Sequence, residues 1–260
     1  MTDASRERAP AEDAVPAPPG PADDHPLQAF LDELREATDR LVQAAERLSD
    51  AEARGPSRLP GWTRGHVLTH LARHADATGN LITWVRTGVE TPMYPHGREG
   101  RDADIDSGAS RPSAELVADV RTGAEQLQAA LGEVRGEALE RTARTGTGLE
   151  VRGRDLPLLR IRELEIHHVD LGVGYTPAHW STAFATRTLD QVAPFFRTER
   201  VCPVRALHGS ATSRTWEVGA AGPAVTGPEA ALLGWLVGRA DGDGLTTDTG
   251  APVPPAPSWL

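Results

Sequence analysis

The most chemically distinctive stretch of the chain is residues 162–170 (RELEIHHVD), in which ionisable side chains stand among apolar ones. Glu163 and His167 are four residues apart, so on a helix they lie one turn above the other on the same face. A carboxylate and an imidazole in that arrangement suit a metal site or a proton-transfer pair. Two groups do not make a site, so a further group must come from another element.

The spacing of apolar residues predicts four helices in the first part of the chain. They cover about residues 27–51, 64–86, 113–134 and 156–171. Thr63 is predicted to cap the second helix, and Gly172 to mark the end of the fourth. The polar residues 87–112 are predicted to form a long loop, and residues 136–155 an irregular stretch or a hairpin. Four such helices predict a bundle whose interior can hold a metal.

The second helix carries three histidines, His66, His70 and His74. His70 falls inside the apolar stripe of this helix, while His66 lies toward its edge. One histidine from this helix, with Glu163 and His167, makes a three-ligand set that suits zinc and leaves a fourth position open. The alternative for a lone histidine on an apolar face is a hydrogen-bonded core residue. Glu163, however, is unfavourable beside leucines unless it is paired or binds a metal.

The remainder of the chain predicts a different architecture. After a helix over about residues 181–197, short strands alternate with turns, and a helix over 229–239 precedes a last strand. The predicted organisation is a disordered tail at 1–25, a metal-binding four-helix bundle at 26–177, and an α+β domain with a proline-rich end at 178–260. The fold class is therefore mainly α, with a smaller α+β domain after the bundle.

Composition excludes several functions. The net charge of −10 argues against nucleic acid and anionic membranes as partners. No segment resembles a membrane span or a secretory signal, and a single cysteine, Cys202, cannot form an internal disulfide, so a cytoplasmic protein is expected. All 27 basic residues are arginine, which rules out a lysine Schiff base and a Walker A lysine.

Three segments of the bundle carry a resemblance to a known family. They are residues 59–72 (LPGWTRGHVLTHLA), 81–94 (LITWVRTGVETPMY) and 162–171 (RELEIHHVDL). These segments resemble the mycothiol-dependent maleylpyruvate isomerases, whose N-terminal part is a DinB-like metal-binding four-helix bundle. Residues 235–239 (WLVGR) are similar to part of the smaller α+β domain of the same family.

The resemblance implies zinc ligands at His70, Glu163 and His167, and a substrate-contacting arginine at Arg239. His74 departs from the family pattern, in which a small polar residue is expected; it would be a supporting residue or an alternative ligand. Arg86 and Arg160 are further cationic candidates, the latter on the same helix face as Glu163.

The implied reaction is the cis–trans isomerisation of maleylpyruvate to fumarylpyruvate, a step of gentisate-type aromatic degradation. It requires reversible addition of a thiolate, and Cys202 has no basic neighbour that would activate it. The expected cofactors are therefore zinc and external mycothiol, with a small dicarboxylate as substrate. Two alternatives remain open: a mycothiol S-transferase acting on other electrophiles, and a non-catalytic zinc- or thiol-binding protein.

Overall fold

A computed structural model describes residues 27–199 and 201–257 of the chain. The predicted disordered tail at residues 1–25 lies outside the described residues. The chain divides into two compact units, the division falling between Val173 and Gly174. None of the described helices is long and apolar enough to cross a membrane.

The first unit is helical apart from one small hairpin. Its helices are α1 (Leu27–Ala45), α2 (Asp50–Ala53), α3 (Arg64–Thr87), α4 (Gly97–Gly108), α5 (Ser113–Leu131) and α6 (Leu156–Asp170). Strands β1 (Thr142–Arg144) and β2 (Glu150–Arg152) pair antiparallel before α6. Helices α1 and α3 each pack against both α5 and α6, which makes these four the bundle.

Local signals define the start of α3. Thr63 is its N-cap, and the Thr63 hydroxyl accepts a hydrogen bond from the backbone N–H of His66 at 3.3 Å. In turn, the backbone N–H of Thr63 donates to Nδ1 of the His66 ring at 3.2 Å. This reciprocal capping box confirms the predicted start of the helix.

The structure differs from the sequence prediction in two places in this unit. The first predicted helix is broken at residues 46–49, because Ser49 forms its own capping box and starts α2. The predicted loop at residues 87–112 contains the helix α4. Only one turn-spaced pair of α4, Arg101 and Ile105, is buried, and a face containing a single large apolar residue gives little periodic signal.

The second unit is the predicted α+β part. Its helices are α7 (Thr182–Glu199) and α8 (Glu229–Leu236), and its strands are β3 (Ala206–Gly209), β4 (Thr215–Glu217), β5 (Ala224–Gly227) and β6 (Thr246–Thr247). The strands form one sheet in the order β4-β3-β5-β6, in which only β3 and β5 run parallel. The two helices pack on each other, α7 against β4 and α8 against β3 and β5. The predicted fold class is confirmed.

Helix α8 ends earlier than predicted, and Arg239 lies beyond it. The backbone N–H of Arg239 donates to the carbonyl of Gly234 at 2.7 Å, and that of Gly238 to Trp235 at 3.0 Å. Gly238 has φ of +70°, so this is a Schellman motif with glycine in the left-handed position. Arg239 is therefore held by the turn that closes the helix.

A prediction concerns the close approach of α3 to the end of α4. A Cβ atom on Gly65 would lie 2.0 Å from the carbonyl oxygen of Ala109, the residue that follows α4. Gly65→Ala is expected to lower the free energy of unfolding by about 2 kcal/mol or more, because two backbones must separate. Urea unfolding followed by circular dichroism measures the change.

Gly79, also in α3, provides the matched control. No atom lies within 4 Å of the position of its Cβ, so Gly79→Ala is expected to raise the free energy of unfolding by about 0.5–1 kcal/mol. Equal effects of the two substitutions would contradict the close contact at Gly65.

Candidate metal centre

Two bundle helices bring together the three predicted metal-ligating residues. Helix α3 supplies His70, and α6 supplies Glu163 and His167; one ligand atom from each lies within 4.8 Å of the others. The Oε2 atom of Glu163 lies 3.2 Å from Nε2 of His70 and 3.5 Å from Nε2 of His167. All three residues are buried. The cluster is thus centred on one carboxylate oxygen.

Burial of α6 extends to every residue of the helix. Glu165 and His168, which lie on another face of the helix from Glu163 and His167, are buried as well. The Glu165 carboxylate accepts a 2.6 Å hydrogen bond from Nη2 of Arg40 on α1. A helix surrounded on all sides can carry charged groups only where each is matched by a partner.

Electrostatics keep Glu163 ionised in this interior. Burial raises the pKa of its carboxyl, but the nearby charge of His74 and the hydrogen bonds of His167 and His70 outweigh this effect and hold the pKa well below its usual range. Glu163 is therefore a carboxylate at neutral pH. An ionised carboxylate beside imidazoles is a donor set that fits a divalent cation such as zinc.

Each of the two histidines of the cluster has a charged side chain beside its Nδ1 atom, an acidic one for His167 and a basic one for His70. Nδ1 of His167 lies 2.9 Å from Oδ2 of Asp170, a carboxylate that would hold a hydrogen on Nδ1 when a metal takes the place of the hydrogen on Nε2. Nδ1 of His70 lies 3.2 Å from Nη2 of Arg101. Because a guanidinium only donates, Nδ1 of His70 accepts, and its Nε2 carries the hydrogen. Metal binding through Nε2 of His70 would require the other tautomer.

His74 lies at the edge of the same cluster. Its Nε2 is 3.9 Å from Oε2 of Glu163, and its Nδ1 is 3.3 Å from both Nη1 of Arg160 and Oγ1 of Thr78. The departure noted in the sequence therefore falls within the site. Arg101, by contrast, was not identified from the sequence; its only signal is its turn spacing from Ile105.

The remaining predicted residues have other contacts. His66 belongs to the cap of α3, and burial lowers its pKa against the opposing charge of Asp106. Arg86 is part of an exposed ion pair with Glu133. Cys202 is buried and its burial raises the pKa of the thiol, as expected for an unreactive cysteine. Arg239, in the second unit, is buried and donates from Nη1 to the carbonyl of Val237 at 2.8 Å.

A prediction follows for Asp170, which orients the ring of His167. Asp170→Asn replaces a carboxylate by an amide, so the zinc-bound ring would lose the negative charge beside its Nδ1. Zinc affinity is expected to fall by roughly 10- to 100-fold. Competition with a chromophoric chelator measures the affinity.

Asp155→Asn is the matched control, since Asp155 lies at the other end of α6 and pairs with Arg152 at 2.9 Å. This variant should keep the zinc affinity of the native chain. Unchanged affinity in Asp170→Asn would mean that the carboxylate does not support the ligand.

Comparison with known proteins supports the same part of the chain. The family model described as the mycothiol maleylpyruvate isomerase N-terminal domain matches residues 34–172. No curated protein sequence matches. The crystal structure of the mycothiol-dependent maleylpyruvate isomerase is 30% identical, with a TM-score of 0.81, and the match covers 91% of this chain and 98% of that one. A histidine-to-alanine mutant of that enzyme gives 29% identity and a TM-score of 0.80 at the same coverage.

A more distant structure supports the fold alone. YfiT from Bacillus subtilis, described as a probable metal-dependent hydrolase with an unusual four-helix bundle topology, is 19% identical with a TM-score of 0.50. That match covers 60% of this chain and 89% of YfiT. The predicted four-helix bundle is thereby confirmed. Because the family model spans more than half of the sequence, the chain belongs to the mycothiol maleylpyruvate isomerase family.

Proposed function

We propose that this protein is a zinc- and mycothiol-dependent isomerase that converts maleylpyruvate to fumarylpyruvate. The observation that carries the proposal is the likeness to a mycothiol-dependent maleylpyruvate isomerase over 91% of this chain and 98% of that one. The match is not confined to the bundle, so it includes the unit that contains Arg239. A bundle-only likeness would support a metal-binding protein of this fold and nothing more specific.

The chain's own residues fit the first requirement of this chemistry, a set of three groups that can bind a divalent cation. His70, Glu163 and His167 would hold the zinc, which leaves one tetrahedral position for a ligand that is not part of the chain. When bound, the ion would supply the positive charge that lowers the pKa of a coordinated thiol. Asp170 would keep His167 in the tautomer that this binding requires.

The reaction itself needs a nucleophile that both adds and leaves. Addition of a thiolate to the cis double bond leaves a single carbon–carbon bond, which rotates; expulsion of the same thiolate restores the double bond as trans. No atom is gained or lost overall. Cys202 is an unsuitable nucleophile because burial raises its thiol pKa. The thiol must therefore be external, as the dependence on mycothiol implies.

Arg239 is proposed to bind a carboxylate of the substrate. Its turn is fixed by Gly238, and one amino group of its guanidinium is already used on the carbonyl of Val237. The planar fork of arginine can hold a carboxylate through two parallel hydrogen bonds, which a lysine could not reproduce. The proposed role is to hold the dicarboxylate while the bond rotates.

Metal content and activity together test the proposal. The purified native chain should contain about one equivalent of zinc and should isomerise maleylpyruvate, followed by ultraviolet absorbance, only when mycothiol is added. His70→Ala should lose both the zinc and the activity, because two ligands bind a divalent ion far less tightly than three. Activity without mycothiol, or a native chain that binds no zinc, would overturn the proposal.

The same assay separates the alternatives. Zinc binding with mycothiol transfer to other electrophiles, but no isomerisation, would favour an S-transferase. Zinc binding with no turnover of either kind would favour a non-catalytic protein.

Arg239→Ala is predicted to reduce kcat/KM for maleylpyruvate by about 100-fold, since a charge-assisted contact to the substrate is lost. Arg214→Ala is the control, because Arg214 is an exposed arginine of the same unit that pairs with Asp190 at 2.8 Å. The control should keep native kinetics. Full activity in Arg239→Ala would contradict the proposed contact between Arg239 and a substrate carboxylate.

A further inference from the structure

Arg160 is the most deeply buried cation beside the metal cluster. It is 0% exposed and stands three residues before Glu163 on α6. Its Nη1 atom lies 3.3 Å from Nδ1 of His74. Its Nη2 atom is also buried, and among the described residues it has no hydrogen-bond partner. Half of the donor fork of this guanidinium is therefore without an acceptor.

Burial does not neutralise Arg160. It lowers the pKa of the guanidinium to about 10, against the opposing charges of Glu163, Asp76 and Tyr94, so the side chain is a cation at neutral pH. A buried cation with an unsatisfied donor is costly. A carboxylate ligand would supply both the missing acceptor and the opposite charge.

Tyr94 is a neighbour of Arg160 that also lines a cavity. The phenol interacts electrostatically with Arg160, and its ring lies 5.8 Å below the guanidinium carbon of Arg101. The same tyrosine lines a cavity of about 230 Å³, to which Arg98 and Arg144 also contribute. A small anion entering this cavity would meet Arg98 and Arg144 as well as Glu90, and Tyr94 is the lining residue that also interacts with Arg160.

We propose that Arg160 forms a carboxylate-binding subsite within the bundle, in which Nη2 donates to one carboxylate of a small dicarboxylate ligand that enters past Tyr94. The inference rests on the proposed function for the ligand class, a cis-dicarboxylate. It assigns to the bundle a carboxylate contact separate from the one proposed for Arg239. The buried guanidinium then serves both to orient His74 and to recognise the ligand.

Binding of maleate, a non-reacting cis-dicarboxylate, tests this subsite without requiring turnover. Isothermal titration calorimetry on the full chain with zinc added would compare maleate with its monomethyl ester, which lacks one carboxylate charge. The native chain should prefer maleate. In Arg160→Met, maleate affinity should fall by roughly 10- to 100-fold, while affinity for the ester changes little. Arg160→Lys should recover part of the preference, because it restores the charge without the fork.

Arg40→Gln is the control for loss of a cation that supports α6, since Arg40 pairs with the buried Glu165. It should keep the native preference for maleate, even where stability falls. Circular dichroism and zinc content establish that each variant is folded and loaded. If Arg160→Met does not fold, a preference for maleate at least threefold smaller in Arg160→Lys than in the native chain supports the subsite.

Two results would overturn the inference. One is a folded, zinc-containing Arg160→Met or Arg160→Lys that keeps the native preference for maleate; the other is a native chain that shows no preference. These outcomes are independent of the proposed function. If the native chain has no isomerase activity but its preference for maleate depends on Arg160, the subsite is supported. If the chain is an active isomerase but its preference for maleate does not depend on Arg160, the subsite is contradicted.

Discussion

An ionised carboxylate in the interior of the bundle is the constraint on which the first unit depends. Without partners, the Glu163 carboxylate would be strongly unfavourable there, and burial alone would keep it neutral. Three imidazole Nε2 atoms, those of His70, His74 and His167, lie within 3.9 Å of its Oε2 atom. Helices α3 and α6 must therefore pack with these faces opposed. The capping box fixes where α3 begins, and the start of the helix determines which of its residues face α6.

The groups behind the imidazoles make the cluster asymmetric. The carboxylate of Asp170 lies 2.9 Å from Nδ1 of His167, whereas the guanidinium of Arg101 donates to Nδ1 of His70. The contact between Arg101 and His70 joins α4 to the site, so the short polar helix is part of the support of the cluster.

Much of the bundle is predictable because its signals are local. The apolar periods of α3, α5 and α6 and the N-cap at Thr63 are contained within one or two turns of sequence. The Glu163 and His167 pair is equally local. The third member of the cluster, His70, lies 93 residues from Glu163 in the sequence. The apolar stripe of α3 favoured His70 over His66, but only the family resemblance implied that it is a ligand.

The sequence did not reveal which charged side chains are buried. Arg101 has the same composition signal as any exposed arginine, and Arg160 was a candidate only through its position on the helix face of Glu163; a hydropathy pattern counts both as surface residues. Their burial follows from partners contributed by other helices, His70 in one case and His74 in the other. The end of α8 shows the opposite case, since Gly238 stood in the sequence as a helix-ending residue. Glycine readily adopts the left-handed conformation that ends a helix, so ending the predicted helix at Gly238 would have placed Arg239 outside it.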